Sequence, residues 1–148
     1  MRRSLLADRR GNIMLEFALA LPVLFILLAG LLDLGMYAMQ KSALLQGARE
    51  GAQYAMMSYT DSTNINTTAQ NGTGLTGVTA TNTVFCECVA GTTVSCGATC
   101  ASGTFKRYIT VNTNKSFTSV LSQAINFGSM GSFTPPSAVS ASVTVRVQ

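Results

Sequence analysis

The sequence predicts an α+β protein in which a long N-terminal transmembrane helix continues into a head built on a small antiparallel sheet. Three observations carry that prediction. Apolar residues dominate from Ile13 to Leu32, small and apolar residues then recur at steps of three and four as far as Ala55, and apolar and polar residues alternate at the C-terminal end. The first pattern has the length of a bilayer span, the second the period of a helix and the third the period of a strand.

The 20 residues from Ile13 to Leu32, wound as an α-helix, reach about 30 Å, the thickness of a hydrocarbon core. Arg2, Arg3, Arg9 and Arg10 against Asp8 put a net charge of +3 ahead of this run, which keeps the N-terminus cytoplasmic and exports the residues beyond Leu32. Pro22 is tolerated inside a membrane helix, where it is expected to introduce a bend. Asp33 closes the apolar run and is expected as a solvated residue at the outer interface, with Tyr37 nearby. Met36, Tyr37, Gln40, Leu44, Gly47, Ala48, Gly51, Ala52 and Ala55 extend the helical spacing, so one helix is expected from about Ile13 to about Tyr59, with Lys41, Arg49 and Glu50 on its wet side. The stripe of Gly47, Gly51 and Ala55 permits close packing, either on the protein's own sheet, the favoured expectation, or between subunits.

After Tyr59 the composition turns polar. A short helix is expected from Ser62 to Gln70, capped by Asp61 or Ser62 and ended by glycines. Asn-x-Ser/Thr triplets at Asn66, Asn71 and Asn114 are expected by chance in so polar a sequence. Strands come next. Val78, Ala80, Val84, Cys86 and Cys88 share one face of an alternating run, Phe105, Ile109 and Val111 share another, and Val139, Ala141, Val143, Val145 and Val147 form the cleanest strand pattern. Three or four antiparallel strands with one apolar face, covered by the second half of the long helix, account for these runs. Between Asn112 and Ser137, Phe117, Val120, Leu121, Ile125, Phe127 and Phe133 are expected as core anchors in a loop with at most a helical turn.

Cys86, Cys88, Cys96 and Cys100 are the four cysteines. Four thiolates can hold zinc, but the spacing is not that of zinc knuckles, the chain has no His, and export places the thiols where disulfides persist. Disulfides are therefore expected. A Cys86–Cys88 bridge is disfavoured by strand geometry, and the nested pairing of Cys86 with Cys100 and Cys88 with Cys96 suits a hairpin slightly better than the crossed one.

Composition excludes several function classes. Without His, without a phosphate-cradling glycine motif and with few scattered acids in the exported part, no catalytic residues, metal or cofactor are expected. The leader arginines serve topology, so the basic pI of 9.1 is not read as nucleic-acid binding. Glu16 is the residue that a plain membrane anchor leaves unexplained, because a carboxylate inside an apolar span is costly and asks for a partner. A cleaved secretory signal fits poorly, since no small-x-small site ends the run.

Gly11, then Asn12 to Leu15, then Glu16-Phe17 resembles the type III signal of type IV pilin-like proteins. The string Glu16-Phe17-Ala18-Leu19-Ala20-Leu21-Pro22-Val23, the later Ala48-Arg49-Glu50-Gly51-Ala52 and the Cys-x-Cys pattern at Cys86 and Cys88 resemble TadE-like pseudopilins of the Tad (Flp pilus) assembly system. The resemblance implies cleavage between Gly11 and Asn12 by a prepilin peptidase, and Glu16 and Phe17 as the fifth and sixth mature residues, serving assembly and recognition. It also implies a pilin-like head and a non-enzymatic role in assembling or priming a pilus. The implied partners are a second pseudopilin, the major pilin and the inner-membrane platform, besides membrane lipid. The domains expected on this reading are a cytoplasmic leader over 1–11, a helix over 12–59 that leaves the membrane near residue 34, and a disulfide-containing periplasmic head over 60–148. The chain would sit in a bacterial inner membrane or enter an extracellular pilus. An uncleaved, membrane-anchored periplasmic binding module is the alternative.

Overall fold

The computed structural model describes residues 9–120, 125–126 and 132–148. Helix α1, Arg9–Met57, runs for 49 residues with Pro22 inside it. It starts before and ends just short of the expected limits, with Ser58 closing onto the Tyr54 carbonyl at 3.0 Å. Its apolar part is long enough to cross a membrane, and none of its most apolar window is buried by the rest of the chain. Helix α2, Ser62–Asn71, begins a few residues later. Asp61 is its cap, accepting from the Asn64 backbone N–H at 3.1 Å, so a donor that the first turn leaves open is satisfied.

Among the described residues six strands follow: β1 Val78–Val89, β2 Thr92–Val94, β3 Lys106–Ser116, β4 Ile125–Asn126, β5 Ser132–Phe133 and β6 Ala138–Arg146. Four of them form an antiparallel sheet in the order β2-β1-β3-β6. The register sets Asn82 opposite Val111 and Val111 opposite Val143. The period of two therefore sends Ala80, Ile109, Val111, Val139 and Ala141 to the helix side, where all are buried. The opposite face carries Thr79, Thr81, Thr83, Thr110, Asn112, Ser140, Ser142 and Thr144, with Phe85 and Tyr108 stacked at 5.2 Å between centroids.

The upper core joins Ala52 and Ala55 of α1, Ile65 and Ala69 of α2, and Ala80, Ile109 and Val111 of the sheet. The lower core joins Leu44 to Phe117, Val139 and Ala141. Alanines let the helices lie close to the sheet. The small-residue stripe packs inside the fold, as favoured, but largely on α2 rather than on the sheet alone. A Cβ at Gly51 would come within 2.7 Å of Ala69 Cβ and 3.2 Å of Val111 Cγ1, and one at Gly47 would meet the Ala69 carbonyl oxygen.

The segment between β3 and β6 differs from expectation. Phe117 is buried, but Val120 is 57% exposed. Ile125 pairs with Phe133 and Asn126 with Ser132 in a two-residue ladder. Leu121 and Phe127 lie outside the described residues.

The disulfides correct the nested expectation: Cys86 bonds Cys96 and Cys88 bonds Cys100, with Cα separations of 5.1 and 5.5 Å. The reason lies in how the chain leaves the β1–β2 hairpin. Cys86 stands opposite Val94, the last residue of β2, which brings Cys96 beside it. A turn then closes from the Ser95 carbonyl to the Ala98 N–H at 2.9 Å and reverses the chain, so Cys100 returns toward the hairpin tip and Cys88. The return is tight at Gly103, whose φ of +84° and closeness to the Cys88 carbonyl oxygen admit no side chain.

Candidate functional site

The residues singled out by sequence lie on α1, whose outer surface from Met14 to Leu34 is apolar and open. Met14, Phe17, Phe25 and Leu31 are 80, 64, 64 and 66% exposed. A helix this apolar buries no side of that segment in its own chain, so the segment must be covered by something else. Gly11 and Asn12 belong to the first turns of α1. Asn12 and Glu16 stand four residues apart in α1, about 6 Å along its axis. Glu16 and Phe17 are both exposed, and among the described residues Glu16 has no ion pair. The structure thus sets Glu16 one turn beyond Asn12 on an uncovered apolar rod.

The upper end of that rod is different. Asp33 is not a solvated boundary residue: it accepts from the Val120 backbone N–H at 2.6 Å and from the Ser119 hydroxyl. Ser119 is itself buried, and Tyr37, one turn up, meets Phe117 edge-on at 5.6 Å. The segment 117–120 is therefore clamped to α1 where the apolar run ends. Hydrogen bonds to a carboxylate offset part of its desolvation at such a boundary. The only hint of this contact in the sequence was an acid immediately after an apolar run; its partners stand 86 and 87 residues away.

The head's other polar contacts join its elements. Arg107 donates to the Tyr59 hydroxyl at 2.6 Å and to Gln148 Oε1 at 2.7 Å, and its guanidinium lies 4.7 Å over the Tyr59 ring, tying the end of α1 to the C-terminus. Asn82 donates to Ser62 Oγ at 2.8 Å and Asn66 Oδ1 at 2.9 Å, seating α2 on β1. At Asp61 the Asn64 side-chain amide, then the Asn64 backbone N–H and the Tyr54 hydroxyl, hold the carboxyl below its ordinary 3.8 against a small opposing effect of desolvation. All four cysteines are consumed by disulfides, which leaves no thiolate from this set for zinc.

The place of the candidate residues along α1 agrees with what this segment is similar to. Residues 11–53 match the family model of TadE-like proteins. The TadE-like match begins at Gly11, takes in Glu16 and Phe17, and continues through the stripe of Gly47 and Gly51 to Gln53. It covers most of α1 and none of the head. No curated protein and no solved structure matches the chain.

Proposed function

We propose that this chain is a TadE-like pseudopilin, a non-enzymatic minor subunit that assembles or primes a Tad (Flp) type IV pilus. The observation that carries the reading is the coincidence of the TadE-like match over residues 11–53 with an uncovered apolar helix bearing Glu16. On this reading the chain enters the bacterial inner membrane with residues 1–11 cytoplasmic and residues 60–148 periplasmic, and a prepilin peptidase cuts between Gly11 and Asn12. Cleavage removes +3 of the +4 formal charge and creates an amine at Asn12. It also moves Glu16 from the interior of α1 to its new N-terminal end. There the helix dipole favours a negative charge by about 0.3–1 kcal/mol.

An amine and a carboxylate in lipid are each costly alone and offset one another when paired. Glu16 meets the amine of a neighbouring subunit, with Phe17 packing beside it, and thereby registers this subunit against the second pseudopilin and the major pilin at the inner-membrane platform. The disulfide-braced head is the part presented outside the membrane. The test is co-purification of the second pseudopilin with the Glu16→Ala variant in cells that still cleave it. The reading expects loss of at least ten-fold in recovered partner; full recovery with a correctly cut N-terminus removes Glu16 from the mechanism.

A further inference from the structure

Where the head meets α1, a crevice of about 410 Å³ opens between Gly30, Leu34 and Tyr37 on the helix and Phe117, Pro135 and Pro136 on the head. Among the described residues its lining is almost wholly apolar, because Asp33, the one charged residue among them, turns its carboxylate to Ser119 and Val120. Two facts fix where the crevice lies relative to a bilayer. Val120 is held by its backbone N–H at the level of Asp33, one residue past the apolar run. Leu34 and Val120, 65 and 57% exposed, extend the exposed apolar residues of Met14 to Leu32 up to the level of the head. With α1 across a bilayer and the head outside it, an apolar opening at that height would face the upper acyl region of the outer leaflet.

We propose that this crevice is a lipid-docking surface: it receives the upper acyl segment of an outer-leaflet phospholipid, so the head rests on the membrane along Leu34, Val120 and Pro136 instead of swinging free above it. The occupant is a bilayer lipid because the crevice is continuous with the helix surface that the membrane covers. The proposal rests on α1 spanning the membrane, as the pseudopilin reading requires. It also gives the Asp33 clamp a role, since the clamp sets the height and tilt at which the head is held before assembly.

The chain contains no Trp, so single-tryptophan variants report cleanly. Full-length Val120→Trp, Leu34→Trp, Leu24→Trp and Thr83→Trp proteins are reconstituted in phosphatidylethanolamine/phosphatidylglycerol vesicles whose acyl chains carry bromine near the glycerol end, which reads positions 120 and 34, or, in a parallel set, near the terminal methyl, which reads position 24. Leu24 lies within the span and Thr83 on the outer sheet face. Tryptophans at 120 and 34 are expected to be quenched several-fold more than the one at 83, and to emit further to the blue. Quenching at 24 with none at 120 and 34 overturns the proposal while the membrane-spanning reading stands; no quenching at 24 overturns both. Blue-shifted but unquenched emission at 120 that depends on the protein-to-lipid ratio also overturns it, and assigns the crevice to a second copy of the chain.

Discussion

Gly47→Ala tests whether the small-residue stripe belongs to the fold. The added Cβ would meet the Ala69 carbonyl oxygen and Thr73 Cγ2, with the Thr73 nitrogen 3.0 Å away. Since two of these atoms are backbone, α2 has to move as a body. Overpacking of this kind costs about 1–3 kcal/mol, and the better helix propensity of Ala returns about 1 kcal/mol at most. Because the closest clash is with the Ala69 backbone, the cost falls in the upper part of that range, and a net loss of about 1–2 kcal/mol lowers the Tm of a domain of this size by about 5–15 °C. The control is Gly35→Ala on the same helix, where nothing lies within 4 Å of the new Cβ, so the Tm is expected unchanged or slightly raised. Thermal unfolding of the full chain in detergent micelles, followed by near-ultraviolet tyrosine dichroism, reads both. If Gly47→Ala is as stable as the parent, α2 does not pack on Gly47 and the stripe is free for another subunit.

The disulfides and the α2 cap give further expected outcomes. Peptide mapping under non-reducing conditions is expected to recover Cys86 linked to Cys96 and Cys88 to Cys100, and removing either pair by double Ser substitution should cost about 2–4 kcal/mol of head stability. Because the folded Asp61 carboxyl titrates below its ordinary 3.8, its contribution to α2 is complete above that pH and is lost as pH falls through the lower folded value. Protection factors of the α2 amides, that is, exchange corrected for the intrinsic rate at each pH, should therefore fall below about pH 4 in the parent but not in Asp61→Asn, which caps without titrating.

Much of the fold was legible because its strongest patterns are long. The apolar run and three-four spacing of α1, the strict alternation of Val139 to Val147, and Asp61 before a short polar helix each express one local rule, and each element formed where that rule placed it. The features that were not legible depend on the path of the chain in space. The crossed disulfides result from a reversal at Ser95–Ala98 that no spacing announces. The β4–β5 ladder is too short to leave an alternation. Asp33 read as solvated because its partners are supplied by a loop far along the chain. Gly47 and Gly51 announced close packing, but whether α2, the sheet or a neighbour would fill the space is a tertiary question. Glu16 and Gly11 were singled out by resemblance and by the cost of a charge in lipid, and both lie within the segment that matches the TadE-like family.

The central claim is that this chain enters the pilus pathway as a processed subunit, and the most direct test is its N-terminus in cells. Intact mass and terminal sequencing of protein made with and without the host's prepilin peptidase should show a chain starting at Asn12 only when the peptidase is present. A chain that keeps Gly11 and everything before it in cells with active peptidase contradicts the account, and leaves the long helix as the anchor of an uncut periplasmic binding module.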